Sequence, residues 1–475
     1  MDRIDHVFID GAFVRPHGTG ELVLVNPATG EPAATVVLAD ADDARAAIAA
    51  AVRAYPAYRA TTLAQRGAYL QRLHDAVAAR AAELTDVMIA EYGGPRSFSA
   101  ATVARASMAF LNAKDVMESY AFSREVGGAR VTMEPLGVVG IITPWNASYG
   151  FVCGKLAMAL AAGSTAVIKP SELSARQTKI LMECLAAAEL PRGAINIVTG
   201  LGDVVGAELV RSPDVAKISF TGSTAVGKSI ARGAAETLKR VTLELGGKSP
   251  NILLDDADFA RAIPLALQLA YMNSGQACIA GTRLLVPRAR LAEAEQLLAR
   301  AVASIAVGDP ALAATQIGPM VTQKQWERVQ RYIDLGVAEG ARLLAGGPGR
   351  PADLGALSGG YFVRPTIFTG VDNAMRIARE EIFGPVLCVL PYDTDADAIA
   401  IANDTDYGLH AYVSGSPARA AAVASHLVAG RIFVNGAFDV PFAPFGGFKQ
   451  SGLGREFGPF GLDAYLEPKA TVAAA

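Results

Sequence analysis

The chain has 475 residues, of which 51% are hydrophobic and 19% are charged, and its formal net charge at pH 7 is −3. This length is too great for one hydrophobic core and predicts two or three packed units, while the composition excludes a largely disordered chain. Because positive and negative charges nearly balance, we expect no nucleic-acid partner and no association with an anionic membrane.

The cysteine pattern and the N-terminal sequence indicate the cellular compartment in which the protein is expected. The four cysteines are Cys153, Cys184, Cys278 and Cys388. They form no C-x-x-C pair and have no histidine-rich neighbourhood, so we expect neither a disulfide framework nor a metal site. Charged residues interrupt segment 1–11, which lacks the apolar core of a signal peptide. The uncharged segment 156–168 is too short to cross a bilayer and predicts a buried helix and strand. We therefore expect a cytoplasmic protein.

The first 120 residues predict a short strand and turn at 23–30, followed by a helical layer. Acidic residues near position 42 complement a helix N-terminus, and the alanine-rich sequence after them has high helix propensity. We predict helices from 42 to 92, with a break near Pro56, and from 97 to 120. Arginines and leucines recur there at helical spacing, which indicates an ordinary amphipathic layer.

From residue 130 onward, short apolar runs alternate with helical stretches, which predicts a parallel, doubly wound sheet. The predicted strands are 137–143, 165–169, 195–199, 217–221 and 241–243, and the predicted helices between them include 175–189 and 225–238. Ligands of such sheets bind at the carboxyl ends of the strands. A second region after residue 253 predicts a helix at 259–272, a strand at 282–286 and helices at 297–305 and 326–339.

Two reactive side chains lie among small residues. Glu244 begins the run Glu-Leu-Gly-Gly-Lys-Ser-Pro, and Cys278 ends the run Gly-Gln-Ala-Cys. A thiol can act as a covalent nucleophile, and a carboxylate can activate the water that later releases the acyl group. The alternative is that Cys278 is a small buried hydrophobic residue, as intracellular cysteines more often are.

A dinucleotide site is indicated by the turn at 222–227, which closes a strand and opens a helix. Backbone N–H groups and the helix dipole can hold a phosphate there, although the run is not G-x-G-x-x-G and many such turns bind nothing. Lys169 and Glu172 follow a neighbouring strand and either hold ribose hydroxyls or form a solvated loop pair. If they bind the cofactor, the Glu172 carboxylate favours NAD over NADP because it repels a 2′-phosphate.

Three further side chains each have two interpretations. Asn146 either donates to an oxyanion or caps the next helix. Glu381 is either a ribose acceptor or a charge at the rim of the site. Phe383 is either a shelf for the cofactor or a core residue.

Taken in order, these motifs resemble those of the aldehyde dehydrogenase superfamily. The resemblance extends from residue 26 to residue 456 and is carried by Pro-Trp-Asn (144–146), Lys-Pro-Ser-Glu (169–172), Phe-Thr-Gly-Ser (220–223), Glu-Leu-Gly-Gly-Lys (244–248), Gly-Gln-Ala-Cys (275–278), Glu-Ile-Phe-Gly-Pro (381–385) and Pro-Phe-Gly-Gly (444–447). It implies an α/β fold with a Rossmann-like cofactor domain, an α/β catalytic domain and a small β oligomerisation arm. The implied NAD-binding domain comprises residues 1–120 and 137–244, and the implied catalytic domain comprises residues 245–435. Residues 121–136 and 455–475 are the implied oligomerisation arm and strand. The resemblance implies a homodimer or a homotetramer.

The resemblance also implies roles for individual residues. Cys278 is the implied nucleophile, Glu244 the general base, and Asn146 with the Cys278 backbone N–H the oxyanion hole, while Lys155 and Glu456 form a buried relay pair. The implied cofactor contacts are Ile142, Thr143, Pro144, Trp145, Lys169, Ser171, Glu172, Gly202, Gly206, Phe220, Gly222, Ser223, Val226, Leu245, Gly246, Glu381 and Phe383. The implied substrate contacts are Phe151, Gly154, Tyr271, Met272, Ile279, Phe438, Asp439 and Phe445.

The implied reaction is NAD-dependent oxidation of an aldehyde to a carboxylic acid through a thiohemiacetal and a thioester on Cys278. One alternative is a semialdehyde dehydrogenase that transfers the acyl group to coenzyme A, but such relatives typically lack an acid at the position of Glu244. Another is an inactive dinucleotide-binding structural protein, against which the presence of all three chemical residues argues. Many relatives carry a large aromatic residue where Gly154 stands, so we expect a wider tunnel for bulky, aromatic or medium-chain aldehydes. Asp439 either selects a polar or cationic tail or faces solvent.

Overall fold

The structure, a computed structural model, describes residues 2–437 and 440–473. The elements up to residue 120 are β1 (Asp2–Ile4), β2 (Val7–Ile9), β3 (Ala12–Val14), β4 (Gly20–Val25), β5 (Pro32–Leu38), α1 (Ala41–Arg59), α2 (Leu63–Ala79), α3 (Ala81–Tyr92) and α4 (Arg96–Ser119). Those up to residue 253 are β6 (Ser123–Val126), β7 (Ala129–Pro135), β8 (Val138–Ile142), α5 (Ser148–Ala162), β9 (Thr165–Lys169), α6 (Ala175–Ala187), β10 (Ile195–Ile197), α7 (Ala207–Arg211), β11 (Val215–Thr221), α8 (Thr224–Ala235), β12 (Arg240–Glu244) and β13 (Pro250–Leu253). Those that follow are α9 (Phe259–Tyr271), β14 (Arg283–Pro287), α10 (Leu291–Ala303), α11 (Gln323–Ala338), β15 (Arg342–Ala345), β16 (Thr366–Thr369), α12 (Arg376–Arg379), β17 (Val386–Tyr392), α13 (Asp395–Asn403), β18 (His410–Ser414), α14 (Pro417–Ala424), β19 (Arg431–Val434), β20 (Gly452–Leu453), α15 (Gly458–Asp463) and β21 (Leu466–Thr471).

The first large sheet has the strand order β20-β12-β11-β8-β9-β10-β2-β3. Its five central strands run parallel, which confirms the predicted doubly wound sheet. Side chains alternate between the two faces, as a strand's period of two requires. Ile141 and Ile168 pack in one hydrophobic cluster with helices α2 to α6, while Ile142 and Val167 pack in another with α1, α7 and α8. Both faces are therefore covered, as expected for a parallel sheet.

The second large sheet has the order β15-β16-β17-β14-β13-β18-β19, and its neighbouring strands are parallel except at β15. Hydrophobic clusters cover it on both faces. The turn that carries Cys278 connects α9 to β14, beside the first sheet's strand ends. Helix Phe259–Tyr271 and strand Arg283–Pro287 confirm their predictions to within one residue.

Two smaller sheets complete the architecture. Strands β1, β5 and β4 form one, and β21, β7 and β6 form the other. In the second, Leu466–Thr471 runs antiparallel to Ala129–Pro135, so the two segments implied to be an arm and a final strand pair with each other within the chain. Their part in oligomerisation stays a prediction.

Some predicted helix boundaries are wrong. Pro56 lies inside α1, which continues to Arg59, because a proline close to the helix end removes only one late intrahelical hydrogen bond. The break comes at Thr62, whose hydroxyl accepts a hydrogen bond from the Gln65 N–H at 3.2 Å and caps α2. The helix predicted at 297–305 is Leu291–Ala303. Among the described residues, no helix combines the length and apolarity that a membrane span needs.

Candidate active site

The candidate residues converge on the carboxyl ends of the first sheet's parallel strands. Glu244 is the last residue of β12, Lys169 is the last residue of β9, and Asn146 lies in the loop after β8. The turn carrying Cys278 reaches the same edge from the second sheet. Residues that are distant in sequence therefore form one site, as the topology of an open parallel sheet predicts.

Gln276 fixes the turn that carries Cys278. Its side-chain amide donates to the Tyr92 hydroxyl at 3.2 Å and to the Pro319 carbonyl at 3.3 Å. Its side-chain oxygen accepts from the Val321 N–H at 3.0 Å. Because these partners lie on α3 and on the loop before α11, the half-buried thiol of Cys278 is held between two parts of the fold.

Asn146 points its carboxamide toward the same turn. Its Nδ2 donates to the backbone carbonyl of Gln276 at 2.9 Å. The residue that caps α5 is Ala147, and that cap has no side-chain hydrogen bond. The alternative interpretation of Asn146 as a helix cap is therefore wrong, and its role as an oxyanion donor stays a prediction.

Glycines 246 and 247 allow the strand that ends at Glu244 to approach the cysteine turn. A Cβ atom on Gly247 would lie 2.3 Å from the backbone carbonyl oxygen of Cys278, and one on Gly246 would lie 2.7 Å from Oε2 of Glu381. The Cys278 backbone therefore leaves no room for a side chain at Gly247, whereas a side chain at Gly246 would displace the Glu381 carboxylate. Close packing against these two partners explains the Gly-Gly pair of the motif.

Burial dominates the electrostatics of Glu244 and Cys278. Burial, and then the charge of Glu456, raises the pKa of Glu244 well above its usual range, against an opposing effect of Lys155. Within residues 2–437 and 440–473, neither carboxyl oxygen of Glu244 has a hydrogen-bond partner. Burial, followed by the charges of Glu381 and Glu244, also raises the pKa of the Cys278 thiol. Burial thus stabilises the neutral form of both groups, and the raised pKa makes the carboxylate of Glu244 a stronger base.

Lys155 and Glu456 form the expected buried pair. Lys155 Nζ donates to Oε1 of Glu456 and to the Ser219 hydroxyl, the latter at 3.3 Å. The side chain of Lys155 is 1% exposed, so its charge acts in a poorly solvated environment. Lys155 is the principal positive neighbour that opposes the rise in the pKa of Glu244.

Residues predicted to contact the cofactor lie at or after the ends of β8, β9, β10, β11 and β12. Lys169 Nζ lies 2.9 Å from Oε2 of Glu172, and Ser223 caps α8 by accepting from the Val226 N–H at 3.4 Å. Five other residues of this predicted set lie in strands or directly after them: Ile142, Thr143, Phe220, Leu245 and Gly246. Six more lie in the segments that follow the strands: Pro144, Trp145, Ser171, Gly202, Gly206 and Gly222. The predicted set thus lies at strand ends and in the turns that follow them, and a helix N-terminus among these can hold a phosphate.

Glu381 and Phe383 contact the loops that follow β12 and β8. Glu381 accepts from the Gly247 N–H at 3.1 Å, and burial raises its pKa to about 7. Phe383 is half-buried, has a φ of 64°, and contacts Trp145 edge-on with ring centroids 5.5 Å apart. A left-handed phenylalanine is uncommon and marks a constrained position. Neither residue is a plain rim charge or an ordinary core residue.

The rings of Phe445, Phe457 and Tyr412 form an aromatic wall near Cys278. Phe445 and Phe457 have centroids 5.6 Å apart, and a Cβ on Gly154 would lie 3.8 Å from the Phe457 ring. The Tyr412 hydroxyl donates to the carbonyl of Ile279 at 2.8 Å. These contacts bring the wall next to the residue that follows Cys278.

The remaining predicted substrate contacts differ in position. Tyr271 is buried, and its hydroxyl donates to the Thr366 carbonyl at 2.9 Å, whereas Phe151 and Met272 are half-buried. Phe438 and Asp439 lie outside the described residues.

Comparison with known proteins then identifies the family. The model of the "Aldehyde dehydrogenase family" matches residues 13–471. The chain belongs to this family. It is 44% identical over 468 residues to a 3-succinoylsemialdehyde-pyridine dehydrogenase of a Pseudomonas species, with 98% of each chain covered.

Solved structures of aldehyde dehydrogenases superpose closely on this one. A cysteine-to-alanine mutant of aldehyde dehydrogenase C from Pseudomonas syringae, in complex with NAD+ and octanal, has a TM-score of 0.97 and 44% identity over 99% of this chain and 96% of that one. An NAD+ complex of the Bacillus cereus enzyme has a TM-score of 0.93 and 37% identity over 98% and 96% of the two chains. The protein is therefore an NAD(P)-dependent aldehyde dehydrogenase with a Rossmann-like cofactor domain, a catalytic domain and a β arm.

Sequence reasoning missed several residues around this aldehyde dehydrogenase site. Lys217 donates to the Thr242 hydroxyl at 2.6 Å, and burial, followed by the charge of Lys155, lowers its pKa to about 7. His410 lies 5.3 Å from the Phe445 ring, and burial with the nearby Arg431 lowers its pKa to about 3, so it is neutral. For each of them, a titratable residue within a buried strand was the available signal.

Proposed function

We propose that this aldehyde dehydrogenase oxidises bulky, aromatic or medium-chain aldehydes to carboxylic acids with NAD, through a thioester on Cys278 that is hydrolysed with Glu244 as general base. The observation that supports the proposal is that the Asn146 carboxamide and the loop after Glu244 both contact the turn that carries Cys278. The Asn146 carboxamide binds the Gln276 carbonyl, and the loop after Glu244 packs at Gly247 against the Cys278 carbonyl.

Thioester formation uses the cysteine turn and Asn146. The Cys278 sulfur attacks the aldehyde carbon as a thiolate, after its proton has passed to solvent. The developing oxyanion accepts hydrogen bonds from Asn146 Nδ2 and from the Cys278 backbone N–H, in a site where burial strengthens both. Bound NAD would supply the hydride acceptor at this step. Lys169, Glu172, Ser223, Glu381 and Phe383 are the residues proposed to hold it.

Thioester hydrolysis uses Glu244. Its buried, unpartnered carboxyl can take a proton from a water molecule that attacks the acyl carbon, and its raised pKa improves its strength as a base. A Cβ on Gly446 would lie 2.9 Å from Oε1 of Glu244, so this glycine leaves room beside the carboxyl. Transfer to coenzyme A would need no such base, which supports hydrolysis over the acylating alternative.

Cofactor preference is proposed to depend on Glu172. We expect Glu172→Gln to lower the ratio of kcat/KM for NAD to that for NADP by about tenfold, because it removes the carboxylate that repels a 2′-phosphate beside the ribose. Steady-state kinetics with both cofactors measure the ratio. Glu183→Gln is the control, since this carboxylate pairs with Arg80 instead. An unchanged ratio in the Glu172 variant would show that selectivity arises elsewhere.

Substrate class is proposed from Gly154 and the aromatic wall. Gly154 has no side chain, so the space between its Cα atom and the Phe457 ring is unfilled by this residue. The solved relative from Pseudomonas syringae holds octanal, and the curated relative from Pseudomonas is named for a pyridine-bearing semialdehyde. Both names suit a tunnel that accepts a long or aromatic chain.

A panel of aldehydes tests the proposed function and Gly154 together. We expect NADH formation from octanal and benzaldehyde to exceed that from acetaldehyde and to be independent of coenzyme A. Gly154→Phe should lower kcat/KM for octanal by at least about tenfold relative to acetaldehyde, because the added ring fills the space beside Phe457. Gly150→Ala on the same helix is the control, since its Cβ would meet only one atom, 3.9 Å away. Higher wild-type rates with acetaldehyde than with every larger aldehyde would contradict the wide tunnel.

Domain organisation and assembly complete the proposal. We propose that segments 1–120 and 137–244 form the cofactor domain and segment 245–435 the catalytic domain. The paired segments 121–136 and 455–475 would then contribute to a homodimer or homotetramer. Strand β6 supports this, because all four of its residues are exposed and one of its edges pairs with β7. A cytoplasmic location stays a prediction from the cysteine pattern.

A further inference from the structure

We propose that Asn273 is a positioning residue of the oxyanion hole and acts through Asn146. The inference rests on the proposed function, which gives Asn146 its role. Asn273 lies in the turn Met272–Gly275, between helix α9 and Cys278, and is buried.

The backbone at Asn273 is in a conformation that few residues adopt. Asn273, Ser274 and Gly275 have φ angles of 52°, 58° and 75°, so three left-handed residues follow one another. Asparagine tolerates this region better than most residues, and such conformations persist where surrounding contacts impose them. The Ser274 hydroxyl supplies one such contact by accepting from the Gly318 N–H at 2.9 Å.

The Asn273 carboxamide supplies the others. Its Nδ2 carries two N–H groups, and both are used: one donates to the backbone carbonyl of Asn146 at 3.0 Å and the other to the backbone carbonyl of Gln276 at 3.1 Å. Because Asn146 Nδ2 donates to the same Gln276 carbonyl at 2.9 Å, the three residues form a closed triangle. One side chain therefore joins the loop after β8 to the turn that carries Cys278.

The triangle fixes the direction of the oxyanion donor. Of the two N–H groups on Asn146 Nδ2, one is used by Gln276, and the part of the chain that the structure describes offers no second acceptor. With the Asn146 backbone and the Gln276 carbonyl both held by Asn273, the remaining N–H has a fixed direction before substrate binds. Such preorganisation is what makes an oxyanion hole effective. Loss of Asn273 should therefore weaken catalysis through Asn146.

A double-mutant cycle with Asn273→Gly and Asn146→Ala tests this. Glycine adopts the left-handed φ of Asn273 without a side chain, so the variant removes the carboxamide and spares the turn. We expect Asn273→Gly to slow the NADH burst about 10- to 100-fold in the wild-type background, with KM for the aldehyde unchanged. In the Asn146→Ala background, the same change should cost less than about threefold. Asn273→Asp, which keeps the side-chain shape but not the donors, should behave like the glycine variant.

Ser274→Gly is the matched control, because Ser274 is also left-handed and its side chain contacts Gly318 instead of Asn146. Any loss it causes should be the same factor in both backgrounds. Equal factors for Asn273→Gly in the two backgrounds, with wild-type turnover intact, would overturn the inference alone. A wild-type protein that forms no NADH from any aldehyde would overturn the proposed function and this inference with it.

Discussion

Replacement of Cys278 by alanine is expected to lower kcat/KM for aldehyde oxidation by at least about 10⁴-fold. The variant has no sulfur to form the thiohemiacetal, and no other described cysteine lies in the turn beside Asn146 and Glu244. NADH formation measures the rate, and calorimetric titration of NAD measures the cofactor affinity, which should stay within about threefold of the wild-type value.

Cys184→Ala is the matched control for this substitution. Cys184 is buried in α6, and burial raises the pKa of its thiol to about 11, so it is a neutral packing residue. Its replacement should leave kcat/KM within about twofold. Retention of more than about a tenth of the wild-type activity by Cys278→Ala would exclude the cysteine mechanism.

Glu244→Gln is expected to separate the two halves of the reaction. The amide keeps the size of the side chain but cannot accept a proton, so hydrolysis of the thioester should slow by about 10³-fold. The first turnover should still release NADH at a rate within about tenfold of wild type, because the thioester forms before water attacks. Stopped-flow NADH traces should therefore show a burst of one NADH per site followed by a nearly flat phase.

The pH dependence of steady-state turnover has a definite sign. Burial and Glu456 raise the pKa of Glu244, so the carboxylate that acts as base is depleted at low pH and forms as pH rises through this raised value. Turnover should therefore increase with pH at values above the usual titration range of a carboxyl group, and the increase should be lost in Glu244→Gln. Glu125→Gln, at an exposed strand position, should retain the wild-type profile. If Glu244→Gln showed the same rise in turnover with pH as Glu125→Gln, the rise would belong to another titrating group.

The first sheet could be predicted from the sequence because each of its parallel strands is marked by a short run of neighbouring apolar residues. Strand Thr165–Lys169 is a continuous run of buried residues, and continuous apolar runs between helices are typical of parallel strands covered on both faces. Boundaries were less certain where capping decides them. Pro56 suggested a break, but the side chain of Thr62 determines where α2 begins.

The chemical residues of the site were predictable, whereas their neighbours were not. Glu244 and Cys278 stand in glycine-rich runs whose glycines are required by contacts that form only on folding, such as Gly247 against the Cys278 carbonyl. Asn273 looked like an ordinary residue before Gly-Gln-Ala-Cys. Its bond to the Asn146 carbonyl joins residues 127 positions apart, and no local pattern records such a contact. Lys217 was hidden in the same way within strand β11.

A thioester on Cys278 that Glu244 helps to hydrolyse should accumulate when Glu244 is replaced. The mass of Glu244→Gln protein quenched after mixing with NAD and octanal measures that accumulation. We expect the protein to gain one octanoyl group, located by peptide mapping on the peptide that contains Cys278, while wild-type protein treated alike carries little. An octanoyl group on another residue, or an unmodified variant that has nevertheless released its burst of NADH, would exclude a thioester on Cys278.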